Sequence, residues 1–177
     1  MKKLFVGVLC VALSLSVQGK EVNMTSPDGK YQFTLSDSGG QLHYSLTWNG
    51  KQTVKPSLLG INANVEWRDG VEIGTVDSSR KDTIWHPVYG ERSEIKDCYH
   101  AWKIVVNRQN GRDKLILDVR AYDEGIAFRY HFPGGQYLKI TDEYTEYTMP
   151  EGTKAYFTPK AQTPYSYLPL ENWPGES

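Results

Sequence analysis

The chain has 177 residues, with 20 Lys and Arg against 21 Asp and Glu, a formal net charge of −1 and two cysteines. It contains no basic run and so lacks the electrostatic footprint that phosphate backbones select, which excludes nucleic acid as a partner. Twelve Tyr, five Phe and five Trp favour a sheet-rich fold through strand propensity, and such aromatic faces also suit the stacking of pyranose rings.

The N-terminus reads Met1-Lys2-Lys3 and then an apolar run from Leu4 to about Val17. That run is shorter than the roughly 20 residues a membrane-spanning helix needs and has the shape of a signal peptide. Val17-Gln18-Gly19 places small or apolar side chains where a signal peptidase reads, so residues 1–19 are expected to be removed and the product exported to the periplasm, with no membrane span. Leu9 before Cys10 is too large for a lipoprotein cleavage pattern. Without Lys2 and Lys3, 18 basic residues remain against 21 acidic ones, a balance of about −3. Cys98 is then the one cysteine left, which excludes an intramolecular disulfide and a cysteine-built metal site. In a strand-like run it is expected to pack rather than react. The 158 residues left when 19 are taken from 177 suit one domain that buries roughly 70% of its unfolded surface.

A short strand is predicted over Lys20 to Thr25, closed by Ser26-Pro27-Asp28-Gly29, where Pro presets φ and Gly accepts a positive one. Tyr31, Phe33 and Leu35 alternate with polar residues, Asp37-Ser38-Gly39-Gly40 turns, and Leu42, Tyr44, Leu46 and Trp48 form the next apolar face. Asn49-Gly50 is the strongest two-residue hairpin signal in the chain, and Gln52 to Lys55 should return antiparallel. Lys55-Pro56 is expected to break the ladder, and Ser57 to Ile61 to open another strand or crossing segment. Asn62 to Lys81 is polar and is predicted to be strand fragments between exposed loops. Trp85 to Arg92 is irregular because Pro87 lacks a ladder donor and Gly90 permits unusual backbone angles. Ile95 to Asn107 is a long strand with Cys98, His100, Trp102, Ile104 and Val106 on one parity, turned by Asn110-Gly111. No helical period of useful length occurs after the leader.

Leu115 to Phe132 has the longest unbroken strand rhythm. Leu115, Leu117, Val119 and Ala121 share one face of the outgoing strand, and Ile126, Phe128, Tyr130 and Phe132 continue the same wall on the returning one, with Asp123-Glu124-Gly125 between them as a three-residue loop ending in a positive-φ glycine. Arg120 and Arg129 point the other way, so one wall alone asks for a sheet to pack against it. Gly134-Gly135 turns, Tyr137 to Met149 is predicted as one strand, Pro150-Glu151-Gly152 turns again, and Ala155-Tyr156-Phe157 begins another strand. Pro159, Pro164, Pro169 and Pro174 then make regular sheet unfavourable. The fold class is all-β, an antiparallel sandwich.

RAYDEGIAFRY at Arg120 to Tyr130, SPDGK at Ser26 to Lys30, LLG at Leu58 to Gly60 and WHPVYGERSE at Trp85 to Glu94 together resemble the N-terminal β-sandwich of glycoside hydrolase family 97, bacterial α-glucosidases and α-galactosidases. The resemblance implies a mutarotase-like super-sandwich over residues 20–177, incomplete at its C-terminal end, which packs on a catalytic (β/α)₈ barrel and walls its sugar cleft. In that family the barrel carries the catalytic acids, so none is assigned here, and the chain alone is expected not to hydrolyse glycosides. It also implies calcium in the complete enzyme, held mainly from the barrel. Glu171 lies in the region of the one sandwich ligand, but its flanks match no motif, and one glutamate falls short of the six to eight oxygens calcium wants. No metal or cofactor is therefore expected in this chain.

Among the acids, Asp123 with Glu124 and Glu91 with Glu94 are the closest pairs beside aromatic residues, and each pair also reads as ordinary solvated turn acids. His43, His86, His100 and His131 lack metal-ligand spacing. Trp85, Tyr89 and Trp173 lie in segments without strand rhythm, where each suits either sugar contact or the plugging of a sandwich end. Besides the barrel wall, two functions remain open: a stand-alone carbohydrate-binding module and a periplasmic interaction protein.

Overall fold

A computed structural model describes residues 19–172 apart from 110, 136 and 159. The expected leader and Trp173 therefore lie outside the described residues. The described chain forms two four-stranded antiparallel sheets, a three-stranded sheet and a two-stranded ribbon. No helix among the described residues is long and apolar enough to cross a membrane.

The first sheet is a meander of β1 (Glu21–Thr25), β2 (Tyr31–Ser36), β3 (Leu42–Trp48) and β4 (Lys51–Leu59). Asn49 and Gly50, at φ +49° and +74°, close the β3–β4 hairpin with Trp48 opposite Lys51, as the Asn-Gly pair requires. Pro56 does not end β4. The register shifts between Tyr44–Ser57 and Leu46–Val54, so Lys55 and Pro56 occupy a bulge, where the missing proline donor is tolerated. Beyond β4, Gly60 leads into β5 (Ile61–Ala63) and β6 (Val65–Glu66). A Cβ on Gly60 would stand 3.3 Å from the Cα of Arg68, so a side chain at this crossing would have to push the Trp67–Arg68 backbone aside by a few tenths of an ångström.

The second sheet runs β10-β9-β8-β7 and comprises β7 (Val71–Trp85), β8 (Ile95–Arg108), β9 (Lys114–Tyr122) and β10 (Gly125–His131). The polar stretch up to Lys81 is thus mostly strand rather than loops. β7 pairs with β8 from Val71–Arg108 to Trp85–Ile95 and forms the edge of the sheet. Past Val76 its side chains meet solvent on both faces, which removes the alternation that marks a half-buried strand. Charged residues on such an edge discourage pairing with other chains. The β9–β10 connection is also tighter than expected: Gly125 pairs with Tyr122, leaving Asp123-Glu124 as a two-residue turn. Gly125 sits at φ +158°, close to extended backbone, as the first residue of β10.

The sheets meet through their apolar faces. Met24, Phe33, Leu35, Leu42 and Tyr44 from one sheet join Ile104, Val106, Leu115, Leu117 and Val119 from the other in a single buried cluster. Phe128 packs across the interface at 6.2 Å from Phe33 and 5.8 Å from Tyr44, ring centre to ring centre. Ile126, Tyr130 and Phe132 flank it on the same wall. In β8 the expected face is buried only at Ile104 and Val106. Towards the start of the strand it is Tyr99, on the opposite face, that is buried, because β7 and β8 there extend past the first sheet.

The predicted strand from Tyr137 to Met149 is regular only as β11 (Ile140–Glu143), which pairs with β5. Its continuation still closes the free edge of β4: the amides of Tyr144 and Glu146 donate to Gly60 and Leu58 at 2.8 and 2.9 Å, and that of Lys55 to Thr148 at 2.8 Å. The buried Ser57 hydroxyl also accepts the Thr148 amide at 2.9 Å. Contrary to the proline argument, β12 (Lys154–Phe157) finds a partner in β13 (Ser166–Pro169), with Pro169 at the strand end opposite Lys154.

Replacement of Leu117, fully buried at the centre of β9, by alanine is expected to lower stability by about 2–5 kcal/mol. Replacement of the exposed Lys103 on the outer face of the same sheet should change it by less than about 0.5 kcal/mol. Urea unfolding of the two variants beside the parent reads both.

Candidate functional site

Two of the sequence motifs meet in space. The amide of Asp28, in the β1–β2 turn, donates to Asp123 Oδ1 at 2.9 Å, joining SPDGK to the β9–β10 turn across the two sheets. Within the turn the Asp28 carboxylate accepts the Ser26 hydroxyl at 2.6 Å and the Lys30 amide at 3.0 Å, and lies 2.8 Å from Lys30 Nζ. The Lys30 side chain, then the Ser26 hydroxyl and the Lys30 amide, hold this carboxyl well below the usual carboxylate range. Asp123 thus braces a turn, and Glu124 is exposed beside it.

The outer face of the second sheet carries a shallow groove of about 720 Å³. Strand register builds it in rows. Ser79, Ala101, Arg120 and Ala127 align across β7, β8, β9 and β10 and leave a low floor of small side chains with one guanidinium. The next row places Lys81, Tyr99 and Tyr122 side by side. Arg120 lies 4.6 Å above the Tyr99 ring, Tyr99 packs on Tyr122 at 5.0 Å, and Lys81 binds Asp97 at 2.6 Å. That bond to Asp97 raises the Lys81 pKa. On the other side of the floor, Asp118 accepts from Arg129 Nε at 2.9 Å and lies 3.6 Å from His131 Nδ1. Its second oxygen is buried without a hydrogen-bond partner among the described residues.

Beyond the groove, β7 and β8 continue as an exposed two-stranded arm. Trp85 is the last residue of β7 rather than a loop residue, paired with Ile95 and 50% exposed. Strand alternation puts it on the same face as Ser79 and Lys81, about 13 Å past Lys81. Tyr89 and Val88, at the tip, are 90% and 99% exposed. His86 Nδ1 lies 3.1 Å from the Ser93 carbonyl and ties the tip together. Trp85 and Tyr89 therefore project from one arm, and neither plugs the core. Tyr99, Lys81 and Arg120 escape a reading of single strands because they become neighbours only through the register of three strands. The presence of Arg120 in the RAYDEG motif was the available signal.

The remaining candidates have plain structural surroundings. Glu91 and Glu94 are exposed in the tip. His100 Nδ1 lies 2.9 Å from the Thr25 carbonyl and links β8 to β1. Cys98 is half-buried, and burial, followed by the neighbouring Asp82, pushes its thiol pKa up. Glu171 stands exposed in the short turn Leu170–Asn172. No group of three His, Cys, Asp or Glu gathers among the described residues.

The described residues thus form a two-layer antiparallel β-sandwich that bears a groove with an aromatic ring, a guanidinium and carboxylates and is extended by an aromatic arm. Residues 24–176 match the family model described as Glycosyl-hydrolase 97 N-terminal, and the chain belongs to that family. It is 30% identical over 159 residues to a retaining alpha-galactosidase of Bacteroides thetaiotaomicron, a match covering 88% of this chain and 23% of that protein. Among solved structures it is similar to a family 97 enzyme of Pseudoalteromonas sp. strain K8 in complex with panose, with a TM-score of 0.78, 23% identity, and 85% of this chain and 25% of that one covered. A beta-arabinopyranosidase structure shares the fold at a TM-score of 0.71 and 25% identity, over 76% of this chain and 22% of that one. The chain thus spans about a quarter of the length of these relatives.

The depressed Asp28 carboxyl predicts an acid limb of stability. A folded pKa below the unfolded value contributes stability above about pH 4 that is lost as pH falls further. Asp28→Asn should therefore be less stable than the parent at pH 7, with the difference in urea midpoint shrinking steadily below about pH 4. A constant difference from pH 7 to pH 2 contradicts this account.

Proposed function

We propose that this chain is the carbohydrate-facing N-terminal sandwich of an exported family 97 α-glycosidase of α-glucosidase or α-galactosidase type. It packs on a catalytic barrel supplied by further polypeptide and forms one wall of the sugar cleft. Trp85 and Tyr89 are its sugar contacts, with Trp173 as a third. The observation that carries this reading is the arm itself: two exposed aromatic side chains held beyond the sandwich, with Trp85 on the face that bears the Tyr99–Arg120 groove. Exposed aromatics at the end of a rigid ladder contribute little to the fold and are well placed to stack on a ring. The Pseudoalteromonas relatives captured with panose and with acarbose support a sugar as the partner. The leader-like N-terminus supports export.

A stand-alone carbohydrate-binding module is the second reading, favoured by the groove, which needs no other domain to exist. Calorimetric titration with maltooligosaccharides and galactosides separates the two. For a cleft wall, the arm alone should give heats no larger than dilution, and the chain should release no aryl group from aryl α-glucosides or α-galactosides above a blank. Saturable heat that disappears in the Trp85→Ala/Tyr89→Ala double variant selects the module. Release of the aryl group would overturn both readings.

A further inference from the structure

Where the leader would end, the chain lies in a fitted seat. Gly19 packs so closely on the β2–β3 turn that a Cβ there would stand 2.7 Å from Asp37 Oδ1, 2.8 Å from the Ser38 nitrogen and 2.9 Å from the Ser38 Cα. Two of these three contacts are with backbone, which cannot swing aside, so position 19 takes no side chain. Gly19 thereby meets two demands at once: the small residue a signal peptidase reads before its cut and the bare Cα this seat requires. Lys20 is then tied to both sheets. Its amide donates to Asp37 Oδ1, and its carbonyl accepts the Asp37 amide at 3.2 Å. The half-buried Asp37 also accepts the Ile73 amide of β7 on Oδ2 at 2.7 Å, while Lys20 Nζ donates to the neighbouring Gly74 carbonyl. One carboxylate thus joins the start of the first sheet to the second.

We propose that Asp37 is the docking site for the α-ammonium group that cleavage after Gly19 creates on Lys20, so that removal of the leader locks the two sheets together. The inference rests on the export reading given above and adds what the cut does to the sandwich. Hydrolysis of the Gly19–Lys20 bond consumes one water, leaves a carboxylate on the departing Gly19 and leaves a protonated amine on Lys20. Before the cut the Lys20 nitrogen is a neutral amide with one proton to give. Afterwards it carries three and a full charge, and Asp37 Oδ1 already faces it, so no rearrangement is needed. Charge-assisted bonds of this kind are roughly twice as strong as neutral ones. Lys20 Nζ, engaged by the Gly74 carbonyl, does not compete for the carboxylate. The precursor lacks the pair, so the fold is at its tightest only once the leader has gone.

The test compares the chain from Lys20 to Ser177, which keeps every described strand, with a free and with an acetylated N-terminus. An acetyl group takes the place of the Gly19 Cα and carbonyl and leaves the Lys20 nitrogen a neutral amide donor, so it reproduces the precursor's bond and removes only the charge. Urea unfolding is read at about pH 6, below the ordinary α-amine pKa of about 7.7–8.0. Acetylation is expected to lower the folding equilibrium constant by roughly two- to fivefold in the parent, the range of partly exposed charge pairs, and to change nothing in Asp37→Asn. An equal effect in both backgrounds, or none in either, overturns the docking. If Asp37→Asn does not fold, the parent decides: the acetylation effect should fall to about half or less in about 1 M NaCl, and an effect indifferent to salt refutes the pair. Mass spectrometry of the protein recovered after expression with its own leader tests the export reading separately. A first residue other than Lys20 sinks that reading and the lock with it, whereas Lys20 at the terminus without the charge effect sinks the lock alone.

Discussion

The structure depends on one contact surface, where the apolar face of the β1–β4 meander lies on that of the β7–β10 sheet. Phe33 stacks on Tyr44 at 5.3 Å and both touch Phe128, so three rings from two sheets fix the separation and register of the layers. Because side chains alternate with period two, a one-residue slip of β10 would send Phe128 and Tyr130 to solvent and bring Arg129 inward. Burial of the rings therefore specifies the register as well as supplying energy. Polar stitches at the edges agree with that register. Asp37 accepts the Ile73 amide at 2.7 Å and the Lys20 amide, and the Tyr130 hydroxyl meets Thr145 at 2.9 Å. Burial, the main effect, pushes the Tyr130 phenol up to about 12, so at neutral pH the layer boundary holds a neutral hydroxyl rather than a phenolate.

The sandwich was legible wherever one face is buried and the other wet. The β2, β3, β9 and β10 patterns predict both their strands and their inward residues, and Asn49-Gly50 predicts its hairpin because only left-handed backbone closes two residues there. Legibility failed where that contrast vanishes. β7 beyond Val76 has water on both faces, so its strand character comes from pairing with β8, a long-range fact that composition does not carry. Pro56 and Pro169 looked like strand breakers, yet a bulge and a strand end are the two places where a missing donor does no harm. The same limit applies to the groove. Its motif residues are visible singly, but the meeting of Lys81, Tyr99 and Arg120 is a product of registers between strands far apart in sequence.

The carboxylates show how the chain divides its chemistry. Asp28 is held by Lys30 and Ser26, Asp37 by two amides, Asp97 by Lys81, Asp118 by Arg129 and Asp123 by the Asp28 amide. At Asp28 these contacts hold the carboxyl well below the usual carboxylate range. A glycosidic general acid needs the opposite, a carboxyl kept protonated by an apolar or like-charged setting. Asp28 is thus set the other way, and all five acids are engaged in holding turns and strands in place.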